Sequence, residues 1–201
     1  MTTITAPNDT TTVATAAAAA IGFPVVVKPA EAGSSVGMSI VKDKGLLKSA
    51  MDKAFEHGNT ILLEAYIDGV ELTAGVVGNA TLEALPLIEI VPNKEYEFFD
   101  YEAKYTAGVT QEICPARIDD QMTATAQAYA KTAHSALFCK GYSRTDMILK
   151  NNRIFVLETN TIPGMTATSL LPQAAKVAGF SFNRLLDELI TLCIEEHQSR
   201  R

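Results

Sequence analysis

Basic residues are in the minority in this 201-residue chain: 17 Lys and Arg stand against 23 Asp and Glu, for a net charge of −6. General nucleic-acid binding needs a basic face, so it is not expected, whereas local basic sites for a phosphorylated ligand stay open. Cysteine is equally sparse. Cys114, Cys139 and Cys193 are odd in number and lack metal-ligand spacing, which points to bystander thiols in a reducing, cytoplasmic setting. Charge is absent from residues 10–27, a length that raises the question of a membrane span. Weakly apolar residues dominate there, however: residues 1–20 hold seven Ala and seven Thr, and Gly22, Pro24 and Pro29 interrupt the run beyond them. No membrane span is expected. No Lys or Arg precedes Lys28, so a secretory signal is not expected either. His57, His134 and His197 form no paired motif, which argues against Cys/His catalysis.

What is present is ordinary globular material, with 47% hydrophobic and 20% charged residues. The length suits one large domain or two small ones with a sizeable core. Residues 1–11 read as a flexible tail, followed by an Ala-rich helix over about 12–20. Pro24–Lys28 is a short β-branched strand and Met38–Val41 its return, with a turn-rich loop between them. Leu46, Leu47, Ala50, Met51 and Ala54 follow helical spacing up to Gly58. Further strands are expected at Ile61–Glu64, Val70–Val77, Leu82–Ile90 and Tyr101–Tyr105. A long helix covers 119–139, and Tyr142–Leu149 with Arg153–Glu158 form a hairpin. Two helices close the chain, at about 169–178 and 182–197. Strand runs with helices between them define an α+β protein.

Three places could carry chemistry. Gly33, Ser34, Ser35 and Gly37 lie between two strands, with Lys28 just before them. Backbone N–H groups and small hydroxyls can wrap phosphate oxygens, and a lysine adds a point charge. The pattern is neither a P-loop nor a dinucleotide fingerprint, because a strand comes next where those need a helix. An ordinary turn is the alternative. The second place is Asp146, Glu158 and Asn160 on the two arms of the hairpin. Counting inward from the turn, Asp146 and Glu158 can come opposite each other, and Asn160 shares a face with Glu158. Three hard oxygen ligands on one sheet face suit Mg²⁺. The two acids are expected to repel when no metal is bound, and a solvated sheet face is the alternative. The third place is the loop from Asn160 to Leu170. There Gly164 allows close backbone approach to a ligand and Ser169 stands at a helix start. Arg144, two residues before Asp146, faces the same side, and with a free N–H it could form an oxyanion hole. A helix-capping turn is the alternative.

Taken in order, these segments resemble the D-alanine–D-alanine ligase family of ATP-grasp enzymes. The resemblance rests on Gly22-Phe-Pro-Val-Val-Val-Lys-Pro with Gly33-Ser-Ser-Val-Gly, and on Glu64-Ala-Tyr-Ile-Asp-Gly-Val-Glu71. It continues through Asp100-Tyr-Glu-Ala-Lys-Tyr105, Arg144-Thr-Asp146, Glu158-Thr-Asn-Thr-Ile-Pro-Gly-Met-Thr166 and Ser169-Leu-Leu-Pro172. It implies an ATP-grasp fold of two α+β subdomains gripping the nucleotide, here 12–69 (small) and 70–201 (large). It also implies ATP and two Mg²⁺ ions, with Mn²⁺ as a substitute. Lys28 would bind ATP phosphates, and Ser34 and Ser35 would lie in the covering loop. Glu64, Ala65, Tyr66 and Ile67 would form the adenine hinge, and Glu71 would hold ribose hydroxyls. Lys104 and Tyr105 would sit on a mobile loop that closes the site. Asp146, Glu158 and Asn160 would bind the metals, Arg144 and the Gly164 N–H would stabilise the tetrahedral intermediate, and Ser169 and Leu170 would contact the D-alanine substrates.

The reaction implied is attack of one D-alanine carboxylate on the γ-phosphate of ATP, giving an acyl phosphate. The amine of a second D-alanine then expels phosphate, in the service of peptidoglycan precursors. Two departures stand out. The family's N-terminal domain, with its acidic anchor for the first D-alanine, has no counterpart, and neither does a second ATP-binding lysine ahead of Lys28. The chain is therefore expected to be a poor ligase alone, with a homodimer or an N-terminal ligase domain as its partner. An ATP-binding module without ligase activity is the alternative. A ligase with another second substrate, such as D-lactate or D-serine, is a third reading.

Overall fold

The computed structural model describes residues 1–5, 10–33, 35–92 and 110–199. The expected strand at Tyr101–Tyr105 lies outside them. The chain splits by packing into two units, with Met1–Asp68 in one and Gly69–Val91 plus Gln111–Arg201 in the other.

In the first unit a four-stranded sheet runs β1-β4-β2-β3, formed by β1 (Thr2–Thr5), β2 (Val25–Pro29), β3 (Ser39–Val41) and β4 (Thr60–Ala65). The start of the chain is thus not a loose tail: Thr2–Thr5 pair antiparallel with β4, from Thr2 opposite Leu63 to Thr5 opposite Thr60. The reason is an open sheet edge beside β4 and four β-compatible residues whose Ile4 is buried. The alternation of β2 and β4 is strict. Val25, Val27, Ile61 and Leu63 are buried, and they pack with the small stripe Ala14 and Ala18 of α1 (Thr10–Ile21) and with Leu47, Met51 and Ala54 of α2 (Leu47–Phe55). Helices therefore cover one face, and the intervening residues Val26, Lys28, Leu62 and Glu64 share the other. The loop returning to β3 passes so close to Pro29 and His57 that a Cβ on Gly37, at φ +73°, would overlap both.

The second unit is built on a larger sheet in the order β10-β9-β5-β7-β8, with β6 also paired to β5. Its strands are β5 (Val70–Gly78), β6 (Leu82–Ala84), β7 (Ile88–Pro92), β8 (Thr110–Ile113), β9 (Gly141–Lys150) and β10 (Arg153–Asn160). Leu82–Ile90 is not one strand. Ala84 pairs with Val76 and Ile88 with Thr73, so one more residue is spent on this side than on β5. Pro86, which has no N–H to give a ladder, lies in that break, and Leu85 and Leu87 on either side of it turn into the core. One face packs Leu72, Ala74, Val76 and Met147 against Ala126 and Ala130 of α3 (Asp120–Ala136). On the opposite face Val77 packs with Leu171 of α4 (Leu170–Val177) and with Leu185 and Leu192 of α5 (Phe182–Ser199). His134 is a core residue. Its Nδ1 is 2.8 Å from the Ser143 hydroxyl, and burial lowers its pKa, so the ring is held neutral.

The segment between β8 and α3 is fixed by one carboxylate. Glu89 on β7 is buried and accepts from Arg117 Nε at 2.9 Å, Arg117 Nη2 at 2.7 Å and the Arg117 backbone N–H at 3.1 Å. The guanidinium hydrogen bonds lower the Glu89 pKa against the opposing effect of burial. A depressed native pKa stabilises the fold above the unfolded carboxylate pKa and is lost as pH falls through the native one. Stability of this unit is thus expected to decline below pH about 4.5. Glu89→Gln should lower stability at neutral pH and flatten that acid limb, which denaturant titrations at several pH values would read. A limb of unchanged slope would mean that Glu89 does not carry it.

Candidate active site

In the first unit, antiparallel pairing sets Val26 opposite Glu64 and Lys28 opposite Leu62. Lys28 and Glu64 are therefore diagonal neighbours on the face opposite α1 and α2, and their side chains form an ion pair of 2.8 Å, each about one-quarter exposed. Ala65 ends β4, and Tyr66 comes after it with its N–H donating to the Pro24 carbonyl at 3.1 Å, which ties the proposed hinge to the start of β2. Ile67 comes next in the same connection. Ser35 adopts φ +61° and its carbonyl accepts from Met38 N–H at 3.2 Å, so the loop after Lys28 is a folded turn. Ser34, Lys104 and Tyr105 lie outside the described residues.

In the second unit, register across three strands makes two rows on one sheet face. Thr73 of β5 pairs with Asp146 of β9, which pairs with Glu158 of β10. The next row is Gly75, Arg144 and Asn160. Asp146 and Glu158 do come opposite each other, but not by uninterrupted counting: the register that starts at Lys150 and Arg153 would, if continued, set Leu157 opposite Asp146. A bulge between Val156 and Glu158 shifts the register by one, so that Glu158 takes that place. The same shift sets Thr159 opposite the fully buried Thr145, and their hydroxyls bond each other at 3.0 Å. Two polar side chains in a strand where apolar ones are usual are thereby satisfied.

Asp146 is the centre of this face. Arg144 grips it in a bidentate pair, Nε to Oδ1 at 2.9 Å and Nη2 to Oδ2 at 2.8 Å. Asn160 Nδ2 donates to Oδ2 at 3.1 Å and Thr73 Oγ1 to Oδ1 at 2.6 Å. The expected mutual repulsion of Asp146 and Glu158 is therefore not the governing force: a guanidinium already balances the Asp146 charge. Sequence reasoning does not single out Thr73. Its alternation with Glu71 is legible, but the pairing of β5 with a strand some 70 residues on is not. Glu71 lies on the same face of β5, opposite Ile148. Gly75 has a packing reason, since a Cβ there would meet Leu171 Cδ1 at 2.7 Å. Its absence lets α4 settle against β5, and with it Ser169 and Leu170 at the helix start.

Ser169 occupies the N-cap position of α4 without capping it. Its hydroxyl turns back into the loop instead, accepting from Thr166 N–H at 3.0 Å and bonding Thr166 Oγ1 at 2.8 Å. A Cβ on Gly164 would come within 2.9 Å of that hydroxyl, so the loop closes on a residue without a side chain.

Residues 1–191 match the family model described as "D-ala D-ala ligase C-terminus". The chain belongs to that family. Among similar proteins of this ligase family, the D-alanine–D-alanine ligase of Syntrophobacter fumaroxidans is 60% identical over 176 residues, covering 88% of this chain and 57% of the relative. That of Desulfotalea psychrophila is 48% identical over 183 residues, covering 90% and 57%. Crystal structures agree. The D-alanine–D-alanine ligase of Bacillus anthracis superimposes with a TM-score of 0.82 at 34% identity, covering all of this chain and 63% of that one. The same enzyme complexed with ATP gives 0.81 at 30% identity, covering all of this chain and 61% of that one. The VanG D-Ala:D-Ser ligase of Enterococcus faecalis gives 0.81 at 36% identity, covering 95% and 56%. The fold is the α+β ATP-grasp fold of these ligases, and the chain spans a little over half the length of the relatives it matches.

Among the described residues no group of three or more His, Cys, Asp or Glu side chains is placed to hold a metal ion. The hairpin offers two carboxylates and one amide. That donor set still fits Mg²⁺, which accepts few protein oxygens and completes its shell with water and phosphate, and Asp146 already binds a cation in the form of Arg144. Among the described residues no helix is long and apolar enough to cross a membrane.

Proposed function

We propose that this chain is the ATP- and Mg²⁺-binding catalytic portion of a cytoplasmic ligase that joins D-alanine to D-alanine for peptidoglycan precursors. The observation that carries the reading is the Arg144–Asp146–Glu158–Asn160 face, assembled by a register-shifting bulge in a chain 60% identical to one such ligase. Lys28 supplies the positive charge that meets ATP phosphates, with Glu64 to Ile67 as the adenine hinge, Glu71 for ribose, and Ser34 and Ser35 in the covering loop. Asp146, Glu158 and Asn160 hold two Mg²⁺ ions, which neutralise phosphoryl oxygens when bound. Arg144 and the Gly164 N–H donate to the oxyanion of the tetrahedral intermediate, where preorganised donors act most strongly. Ser169 and Leu170 orient the amino-acid substrates. Lys104 and Tyr105 close over the acyl phosphate and exclude water.

The family resemblance implies an acid that anchors the first D-alanine ammonium and a second phosphate lysine, and no Lys, Arg or Glu precedes Lys28 in these 201 residues to match them. Loss of positioning forfeits much of a proximity advantage that reaches roughly 7–11 kcal/mol. The chain alone is thus expected to bind Mg-ATP with little dipeptide synthesis. Fusing it to the unmatched part of the S. fumaroxidans ligase should give phosphate release that depends on D-alanine and yields D-alanyl-D-alanine. D-serine and D-lactate arms test the other second substrates, the first of them motivated by the likeness to a D-Ala:D-Ser ligase. A folded, ATP-binding fusion that releases no phosphate with any of the three would refute ligase function.

A further inference from the structure

We infer that Thr73 is a positioning residue for Asp146, holding its carboxylate in the orientation that a cation requires. The inference rests on the metal role proposed above for Asp146. Thr73 is 2% exposed and sits mid-strand in β5, paired on one side with Ile88 and on the other with Asp146 itself. Its backbone is thus pinned from both sides, and a β-branched side chain has few χ1 choices. Its hydroxyl has one proton to give. The Asp146 Oδ1 acceptor is at 2.6 Å and the alternative, the Thr145 carbonyl, at 3.5 Å, so the proton goes to the carboxylate.

Among the described residues three side chains bond Asp146, and two of them have other proposed tasks. Arg144 donates to the reacting oxyanion, and Asn160 is itself a ligand. Both must rearrange about Asp146 when a metal and substrates arrive. Thr73 has no such task and no freedom to leave, so it keeps Oδ1 in place while the others exchange partners. Hydrogen-bond partners of metal-binding carboxylates typically govern affinity by about 10–100-fold.

The test is Mn²⁺ binding to the 201-residue chain with a non-hydrolysable ATP analogue, read as loss of the free-ion electron paramagnetic resonance signal beyond that of the analogue alone. Thr73→Val, equal in shape but without the hydroxyl, should weaken Mn²⁺ binding by about 10–100-fold, and Thr73→Ser should recover most of it. Should Thr73→Val fail to fold, Thr73→Ser and Thr73→Ala make the same comparison, since they differ by the hydroxyl alone. A purely structural threonine would lower the melting temperature in chelator and leave Mn²⁺ affinity of the folded variant untouched, and that result overturns the inference. Asp146→Asn separates the two levels. If it loses Mn²⁺ while Thr73→Val and Thr73→Ala keep it, only the role of Thr73 is wrong. If Asp146→Asn binds Mn²⁺ as tightly as the unmodified chain, the metal reading itself fails.

Discussion

Lys28→Ala is expected to weaken Mg-ATP binding by roughly 10–150-fold, the affinity equivalent of losing a charge-assisted hydrogen bond of about 1.5–3 kcal/mol. Lys28 stands on the face of the first sheet opposite α1 and α2, where it pairs with Glu64. The pair is a single Nζ–Oε2 contact and not a bidentate one, so it contributes on the order of 1 kcal/mol or less to stability. Its removal should therefore leave the unit folded while taking a cation from a site that must meet several phosphate charges. Calorimetric titration of Mg-ATP decides the point, and equal affinity of the two proteins would remove Lys28 from the nucleotide site.

Asp146→Asn should have two effects that only the structure makes visible together. Metal dependence of nucleotide binding should be lost, because an amide is a far weaker partner for a hard cation than a carboxylate. Stability in chelator should also fall, by about 1.5–3 kcal/mol, because the Arg144 guanidinium loses an ionised acceptor. Sequence reasoning alone implies the opposite sign for the second effect, since two facing acids without metal ought to repel. The bidentate grip of Arg144 on Asp146 reverses it. Glu158→Gln should affect metal dependence without that loss of stability, as Glu158 is exposed on β10. Urea titrations in chelator measure the difference. If Asp146→Asn proves as stable as the unmodified chain or more so, repulsion governs the metal-free site and the Arg144 pair does not.

Much of the fold and the site is legible in the residues themselves, for reasons particular to each. The β-branched run Val25–Val27 ahead of Lys28 makes a strand, and the spacing of Leu47, Met51 and Ala54 makes a helix. Arg144, Asp146, Glu158 and Asn160 stand on two runs joined by a short turn, so a hairpin brings their strands side by side, while the facing of Asp146 and Glu158 needs the bulge as well. Less visible are effects that depend on distant strands or on single-residue irregularities. The bulge beside Leu157 leaves no mark in the composition of β10. The partner of Thr73 lies across a sheet pairing between segments far apart in sequence. Thr2–Thr5 are too short and too polar to announce a strand, and gain one from the free edge of β4. The break at Leu85–Leu87 is signalled by Pro86, which the run of apolar residues around it disguises.

The most direct test of the account is the affinity of the unmodified 201-residue chain for ATP, measured by calorimetry with Mg²⁺ and again in chelator. The account predicts binding that is clearly tighter with Mg²⁺, the difference disappearing in Asp146→Asn. No binding of ATP, or the same affinity with and without Mg²⁺, would contradict it.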